Sequence, residues 1–313
     1  MADQQRYRLV TRSDFDGLVC AVLLKSRGMI DDILFVHPKD VQDGKVQIGE
    51  GDITANVPYA PHAHMAFDHH ASETTRIGGP APRNLVLDPK APSASHVIYD
   101  HLGGKAAFPA LSPELLAAAD KADSAQFTRD EVLDPKGWVL LSFLMDPRTG
   151  LGRFRDFEVS NFKLMVELFE SCRQDSKVDD ILRLPHMVER VALYRSHQAP
   201  FREQLHRCAK VNANLVVLDL RGEDTIYAGN RFVVYALFPK SNISMHVLWG
   251  VKKEATVFAM GKSIFNRTSK TDIGRLALSY GGGGHEAAGT CQVANDQAET
   301  TLGELIKRIT TDG

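Results

Sequence analysis

The first 25 residues contain the pattern that most restricts the fold. Residues 7–11 (YRLVT) are typical of a buried strand, and residues 18–25 (LVCAVLLK) have the apolar character of a helix. An acidic loop, residues 12–17, joins them. The order of strand, loop and helix predicts the first unit of a doubly wound α/β domain. In such domains the loops that follow the strands form the ligand site.

The loop carries two carboxylates, Asp14 and Asp16. Asp is a common helix N-cap, so capping is one interpretation of this pair. A cap needs only one carboxylate, and the second therefore indicates a binding role.

Asp68, His69 and His70 follow another short apolar strand, residues 65–67. Neighbouring side chains of a strand point to opposite faces, so Asp68 and His70 would share one direction and His69 the other. A polar strand end is the alternative interpretation of these three residues, and the rest of the chain has to decide.

Three more carboxylates lie near predicted element ends. Asp52 closes the segment 45–52, although a lone Asp after Gly is also a common turn residue. Asp120 and Asp123 are three residues apart on one face of a helix that begins near Pro113.

If these groups converge, they converge on a cation. Three carboxylates about 5 Å apart repel by roughly 3 kcal/mol per pair at an effective dielectric constant of about 20. Together these terms approach the stability margin of a whole domain. Carboxylates with one or two imidazoles suit Mn²⁺ or Mg²⁺ better than Zn²⁺, and the absence of a cysteine cluster favours the same ions.

The C-terminal part of the sequence contains a run of four glycines, residues 281–284, followed by His285. Four glycines exceed the needs of a helix C-cap, and they allow backbone N–H groups to converge on an anion. A flexible surface loop is the alternative, but flexible linkers combine Gly with Ser. The sequence predicts a structured anion-binding loop.

Composition limits the partners and the compartment. The 313 residues carry a net charge of −2, so no general basic field recruits long nucleic acid. Four cysteines without a CxxC pair are typical of a reducing compartment. No signal sequence or membrane span is recognisable. We expect a cytoplasmic protein without a membrane partner.

The pattern changes after about residue 157. Residues 161–172 and 178–211 predict long amphipathic helices, and strand character returns from residue 215. The predicted fold class is α/β. It comprises an N-terminal doubly wound domain with a mainly parallel sheet (1–158), a helical connector (159–211) and a smaller C-terminal α/β domain with a mixed sheet (212–313).

Three motifs, in this order, resemble those of the DHH phosphoesterase superfamily with its DHH-associated C-terminal domain. They are SDFDG (13–17), DHH (68–70) and GGGGHEAAG (281–289). Each motif is weak alone, but the three together are specific and span nearly the whole chain. The two-domain length is similar to that of the nanoRNase and oligonucleotide phosphodiesterase branch, which is related to exopolyphosphatases.

The resemblance implies a site with two Mn²⁺ ions, with Mg²⁺ as an alternative. It implies five metal ligands: Asp14, Asp16, Asp52, His69 and Asp120, with Asp123 as the alternative to Asp120. Asp68 would orient His69, and His70 would contact the scissile phosphate. The implied substrate contacts are Arg12, Ser263, Asn266, Arg267, Gly282, Gly283, Gly284 and His285.

The sequence departs from the family pattern at Val10 and Arg12, where many members have a histidine ligand. This loss would weaken one metal site, change the metal preference or leave a single-metal or inactive protein. Arg12 would then bind phosphate, or His62 or His64 would supply a replacement nitrogen. The SIFNR segment also departs, since Phe265 stands where the family has arginine.

The resemblance implies a manganese-dependent phosphodiesterase that hydrolyses short oligonucleotides or dinucleotides with metal-activated water. One alternative is a phosphatase acting on polyphosphate, pyrophosphate or a 3′-phosphoadenosine-type compound. A second alternative, based on Val10 and Arg12, is a catalytically degenerate nucleotide sensor. The expected partner is a short nucleotide or phosphorylated small molecule, and a homodimer is left open.

Overall fold

The computed structural model describes residues 5–154, 156–174 and 176–313. The chain forms two compact units. The N-terminal unit comprises the described residues up to Phe127 and Pro135–Leu193, and the C-terminal unit comprises Thr128–Asp134 and Tyr194–Gly313.

The N-terminal unit contains a five-stranded sheet in which all strand pairs are parallel, in the order β2-β1-β3-β4-β5. Its strands are β1 (Tyr7–Arg12), β2 (Ile30–Val36), β3 (Asp52–Ala55), β4 (Met65–Asp68) and β5 (Leu85–Leu87). The chain passes from β1 to β2 on one side and then to β3 on the other side. The order therefore reverses between β1 and β3, which is where doubly wound sheets bind ligands.

Helices cover this sheet, and α1 lies at the centre of their packing. In chain order, the helices between β1 and residue 208 are α1 (Phe15–Ser26), α2 (Pro38–Gln42), α3 (Ala71–Ile77), α4 (Ala94–His101), α5 (Gly104–Ala107), α6 (Pro113–Asp123), α7 (Arg129–Leu133), α8 (Gly137–Met145), α9 (Asn161–Arg173), α10 (Val178–Ile181) and α11 (Pro185–Cys208). Of these, α7 and the last part of α11 belong to the C-terminal unit. Every residue of α1 from Phe15 to Leu24 is buried, as expected for a helix that is apolar on all sides. It packs against α4, α6 and α9.

The C-terminal unit contains a mixed six-stranded sheet in the order β10-β11-β9-β8-β7-β6. Its remaining elements are β6 (Ala209–Asn212), β7 (Leu215–Asp219), α12 (Val233–Leu237), β8 (Ile243–Trp249), β9 (Ala255–Lys262), α13 (Ile273–Leu278), β10 (Gly283–His285), β11 (Ala288–Ala294) and α14 (Ala298–Asp312). Only β7 and β8 pair in parallel. The core lies between the sheet and the apolar sides of α13 and α14.

The predicted fold class is confirmed, since a doubly wound parallel sheet is followed by a mixed α/β unit. One element prediction is wrong, since residues 209–212 form β6 and do not continue the helix. Asp52 begins β3, a strand that the sequence did not predict. Contacts group α9, α10 and the first part of α11 with the N-terminal unit. The predicted boundaries at residues 158 and 211 stay predictions.

Part of the glycine run forms the edge strand β10, which pairs with β11. A Cβ atom on Gly282 would overlap the carbonyl oxygen of Thr290, whereas one on Gly283 would meet nothing within 4 Å. The run is therefore structured, as predicted, and one reason for glycine is the close approach of two backbones. Its role in anion binding stays a prediction.

No helix in the described part of the chain is long and apolar enough to cross a membrane.

Replacement of Gly282 by alanine tests this packing. We expect Gly282→Ala to lower the free energy of unfolding by about 1–3 kcal/mol, because the methyl group overpacks the β10–β11 contact. The matched control, Gly283→Ala, enters open space, and its effect should stay within roughly 0.5 kcal/mol. Urea unfolding followed by circular dichroism measures both. Equal effects of the two substitutions would contradict the steric explanation.

Candidate metal centre

The candidate centre lies at the carboxyl ends of the parallel strands. Asp14 lies between β1 and α1, and Asp16 lies in the first turn of α1. The end of β4 supplies Asp68, which His69 follows, and the last turn of α6 supplies Asp123. The turn from β1 into α1 is tight: Gly17, in the first turn of α1, lies so close to the end of β1 that a Cβ atom on it would overlap the carbonyl oxygen of Arg12. This turn places both aspartates at the sheet edge.

Asp16 is held in the interior by backbone N–H groups. Its side chain is 3% exposed and accepts hydrogen bonds from Ala94 N (3.0 Å) and Ser95 N (2.9 Å), at the N-terminus of α4. A helix N-terminus favours negative charge. Burial, together with the nearby carboxylates of Asp123 and Asp14, nevertheless raises the pKa of Asp16 to about 7.

Asp14 caps α1 and also faces the centre. Its Oδ1 accepts hydrogen bonds from Gly17 N (3.0 Å) and Asn56 Nδ2 (3.1 Å). Its Oδ2 lies 2.9 Å from Arg12 Nε. Burial raises the pKa of Asp14, and the guanidinium of Arg12 opposes this shift. The capping and binding interpretations of this residue are therefore compatible.

His69 lies between these carboxylates and a backbone carbonyl. Its Nδ1 is 3.2 Å from Ala91 O, which fixes the ring so that Nε2 faces Asp123. Nε2 is 2.7 Å from Asp123 Oδ2, yet this buried atom has no hydrogen-bond partner of good geometry among the described residues. A histidine that donates from one nitrogen to a carbonyl and turns the other toward carboxylates has the arrangement of a metal ligand.

The donor atoms fit a divalent cation. One ligand atom each from Asp16, His69 and Asp123 lies within 4.8 Å of the others. Asp68, His69 and His70 form a second group that meets the same criterion. Oxygen ligands with one or two imidazoles suit Mn²⁺ or Mg²⁺.

Asn56 is a site residue that the sequence analysis missed. It follows β3 directly, is 1% exposed and has a φ of 55°, a conformation that Asn adopts more readily than most residues. Its Nδ2 binds Asp14, while its buried Oδ1 has no partner among the described residues. A correct strand assignment at residues 53–55 would have pointed to it.

Asp52 lies at the opposite edge of the sheet. It begins β3, whereas the centre lies beyond the end of that strand, about 10 Å further along. Its carboxylate binds Arg8 Nε at 2.7 Å and Gly49 N at 2.8 Å. The expectation that Asp52 is a metal ligand is not supported, because Asp52 pairs with Arg8 at the start of β3 and the other candidate ligands lie beyond the end of the sheet strands.

Asp123 takes the place expected for Asp120. The structure brings Asp123 to His69, and it directs Asp120 toward Ser93 Oγ (2.6 Å) and His96 Nδ1 (2.8 Å). The two side chains leave α6 in directions about 60° apart, since three residues advance a helix by roughly 300°. Asp120 therefore supports the N-cap of α4 and the loop before it.

Asp68 orients His70, and the expectation that it orients the ring of His69 is wrong. Asp68 Oδ1 accepts from the backbone N of His69 (2.8 Å) and lies 2.7 Å from His70 Nδ1. The imidazole of His70 is 40% exposed. Burial would lower its pKa, but the hydrogen bond and charge of Asp68 raise it overall.

No histidine among the described residues replaces Val10 or Arg12 at the centre. Val10 is fully buried in β1, and Arg12 is paired with Asp14. His64 precedes β4 at the other edge of the sheet, where it stacks on Tyr7 with ring centroids 4.0 Å apart. His62 is exposed in the preceding loop.

The predicted substrate residues of the C-terminal unit lie at one end of its sheet. Ser263 follows β9, and its Oγ accepts from Phe265 N (3.1 Å) and Asn266 N (3.0 Å), which forms a tight turn. Arg267 is exposed, and its Nε donates to Ile264 O. Lys262 N bonds Ala287 O, so the turn of the β10–β11 hairpin, which contains His285, lies beside this segment. Their contact with substrate stays a prediction.

Comparison with known proteins identifies the family. No family model and no curated protein matches the chain. The solved structure of PggH, a pGpG-specific phosphodiesterase from Vibrio cholerae, is 56% identical and covers 98% of this chain and 100% of its own, with a TM-score of 0.85. This chain belongs to the DHH phosphoesterase superfamily. The resemblance drawn from SDFDG, DHH and GGGGHEAAG is confirmed.

A more distant solved structure shows the fold alone. CDC45 from Entamoeba histolytica is 9% identical, covers 98% of this chain and 96% of its own, and has a TM-score of 0.51. A manganese-bound RecJ exonuclease is 15% identical, covers 99% and 91% of the two chains, and has a TM-score of 0.49. At that distance the RecJ structure carries no argument about the metal of this chain.

Metal titration separates the carboxylates that the structure brings together from the one that it does not. We expect Asp123→Asn to weaken Mn²⁺ binding at least about 10-fold, because it removes a charged ligand from the centre. The control, Asp52→Asn, changes a buried carboxylate at the other edge and should leave the affinity within about 3-fold. Calorimetric titration of chelator-treated protein measures both. A loss in Asp52→Asn equal to that in Asp123→Asn would contradict this site.

The stability of metal-free protein should depend on pH through Asp16 and His69. Folding raises the pKa of Asp16 from 3.8 to about 7. It raises that of His69 from 6.5 to about 9, because the contact with Asp123 outweighs burial, which acts in the opposite direction. Both protonated forms therefore favour the fold. Their contribution is complete below the unfolded-state pKa values and is lost as pH rises through about 7 and then about 9.

A divalent cation replaces these protons, so its stabilising effect should grow with pH. The measurement is the thermal unfolding midpoint with chelator and with Mn²⁺, between about pH 5.5 and pH 9. The difference between the two midpoints should increase across this range. A difference that stays constant would show that neither group exchanges a proton for metal.

Proposed function

We propose that this chain is a divalent-metal-dependent phosphodiesterase that hydrolyses pGpG, or a dinucleotide very like it, to mononucleotides. The observation that carries this proposal is the 56% identity to PggH over almost the whole of both chains. The grouping of Asp16, His69 and Asp123 supports it independently, because a cation centre is what phosphodiester hydrolysis needs. The near-neutral net charge is compatible with a short substrate.

Asp16, His69 and Asp123 would hold the cation, with Asp14 and the unpaired Oδ1 of Asn56 beside them. A bound divalent cation supplies Lewis acidity, which neutralises charge on the phosphate and makes water more acidic. We propose Mn²⁺ as the ion, and two ions in the complete centre. Asn56 and Arg12 reduce the negative charge of the site relative to an all-carboxylate set.

His70 is the proposed catalytic acid. Asp68 accepts the Nδ1–H of the ring and so leaves Nε2 toward solvent, where a substrate can reach it. The raised pKa keeps a larger fraction of the ring protonated near neutral pH. Protonated Nε2 can then hydrogen-bond the phosphate and donate its proton to the leaving oxygen. Asp68 acts by positioning this ring.

The C-terminal unit would contact the rest of the substrate. Ser263, Asn266, Arg267 and His285 lie near one another at one end of its sheet, together with the glycine run. Exposed backbone N–H groups, an imidazole and a guanidinium are suited to a nucleotide phosphate. These contacts extend the proposal and are not needed for the chemical step.

Turnover of pGpG with Mn²⁺ tests the function. The purified protein should release guanosine monophosphate, and chelator should stop the reaction. His70→Gln should lower kcat by about 100-fold or more, the usual contribution of a general acid, with Mn²⁺ affinity retained. Asp123→Asn should lose both activity and metal affinity, while Asp52→Asn serves as the folded control.

One outcome would correct the proposed mechanism, and another would overturn the proposed function. An unchanged kcat in His70→Gln would remove that residue from the mechanism. Failure of the wild-type protein to cleave pGpG with any divalent cation, accompanied by stabilisation on pGpG binding, would instead indicate a nucleotide sensor.

A further inference from the structure

The turn after α8 carries an arginine, Arg148, and faces the loop that holds Asp14. This turn, Asp146 to Gly150, is held by hydrogen bonds: Thr149 is buried and donates its hydroxyl to Phe143 O at 2.6 Å. Asp146 N bonds Ser142 O, and Thr149 N bonds Asp146 O. A side chain that projects from such a turn starts from a fixed position.

The carboxylate of Asp146 binds one edge of the Arg148 guanidinium. Asp146 Oδ1 accepts hydrogen bonds from Arg148 N (2.9 Å) and Arg148 Nε (2.8 Å). The two terminal amino groups make no hydrogen bond to any described residue, and the side chain is 50% exposed. The outer edge of the guanidinium is therefore available to an acceptor from solution.

The turn lies against the loop that carries the first two aspartates. A cavity of about 160 Å³ is lined by Ser13 together with Asp146 and Pro147, so the turn faces the residue before Asp14. Electrostatics agree with this placement. Burial would lower the pKa of Arg148, but the charges of Asp146, Asp14 and Asp123 raise it overall.

Arg148 is held further from the carboxylate of Asp14 than Arg12 is. Arg12 Nε lies 2.9 Å from Asp14 Oδ2, whereas the ion pair of Arg148 is with Asp146. A phosphate at the centre would meet Arg12 first, and a second phosphate further out would meet Arg148. The planar edge of a guanidinium binds two oxygens of a phosphate at once.

We propose that Arg148 binds the terminal 5′-phosphate of the dinucleotide, so that the enzyme prefers pGpG to GpG. A terminal phosphate carries about two negative charges near neutral pH, against one on the internal phosphodiester. A guanidinium set back from the centre by Asp146 is suited to this outer, more highly charged group. This inference rests on the proposed function.

The experiment compares kcat and KM for pGpG and for GpG, which lacks the 5′-phosphate. Wild-type protein should prefer pGpG. Arg148→Gln should lower kcat/KM for pGpG by about 30-fold or more, mainly through KM, with less than about 3-fold change for GpG. Arg148→Lys keeps the charge without the planar edge, and its kcat/KM for pGpG should lie between those of the wild-type protein and Arg148→Gln. Arg173→Gln on α9 is the matched control, since Arg173 is similarly exposed and pairs with Glu170.

The outcomes distinguish this inference from the function on which it rests. If wild-type protein cleaves neither substrate, the proposed function fails and the inference falls with it. If Arg148→Gln loses activity equally on both substrates, or on neither, the function stands and the 5′-phosphate assignment is wrong. Unchanged thermal midpoints and Mn²⁺ affinity in the variant exclude misfolding as the cause.

Discussion

The interaction on which the centre depends is the burial of several carboxylates at one sheet edge. Asp14, Asp16, Asp68 and Asp123 are all largely withdrawn from water. Each has a specific partner: the α1 N-terminus, the α4 N-terminus, His70 or His69. Buried carboxylates are tolerated only with such partners. The strand ends, helix starts and histidines of the N-terminal unit are arranged to meet this condition.

In a binding site, unlike a structural ion pair, the protein's own groups compensate the buried negative charge only in part. The backbone and the imidazoles offset only part of the negative charge, and burial still raises the pKa values of Asp14 and Asp16. In addition, buried atoms of His69 and Asn56 remain without good partners among the described residues. Uncompensated charge and buried polar atoms without partners are expected where a bound cation completes the site.

Sequence reasoning could predict the fold class and the main part of the centre. The strand–acidic loop–helix order places Asp14 and Asp16, and the short apolar strand places Asp68 and His69, because parallel strands end at one edge. It failed for Asp52, because the strand 52–55 is too short to show a clear periodicity and was not recognised. It left Asp120 and Asp123 open, since helix rotation decides between them. The bond between Asp68 and His70 depends on backbone geometry after the strand, which spacing cannot give.

The conformation of Asn56 has an evolutionary consequence. Gly, Asn and Asp adopt a φ of 55° readily, whereas most other residues are strained in this conformation. Few residue types are therefore tolerated at this position. Two of them, Asn and Asp, differ by one nucleotide in their codons and by one unit of charge. A single mutational step could thus add a carboxylate beside Asp14 without disturbing the backbone. The charge of the centre is in this sense a readily adjustable trait within a fixed scaffold.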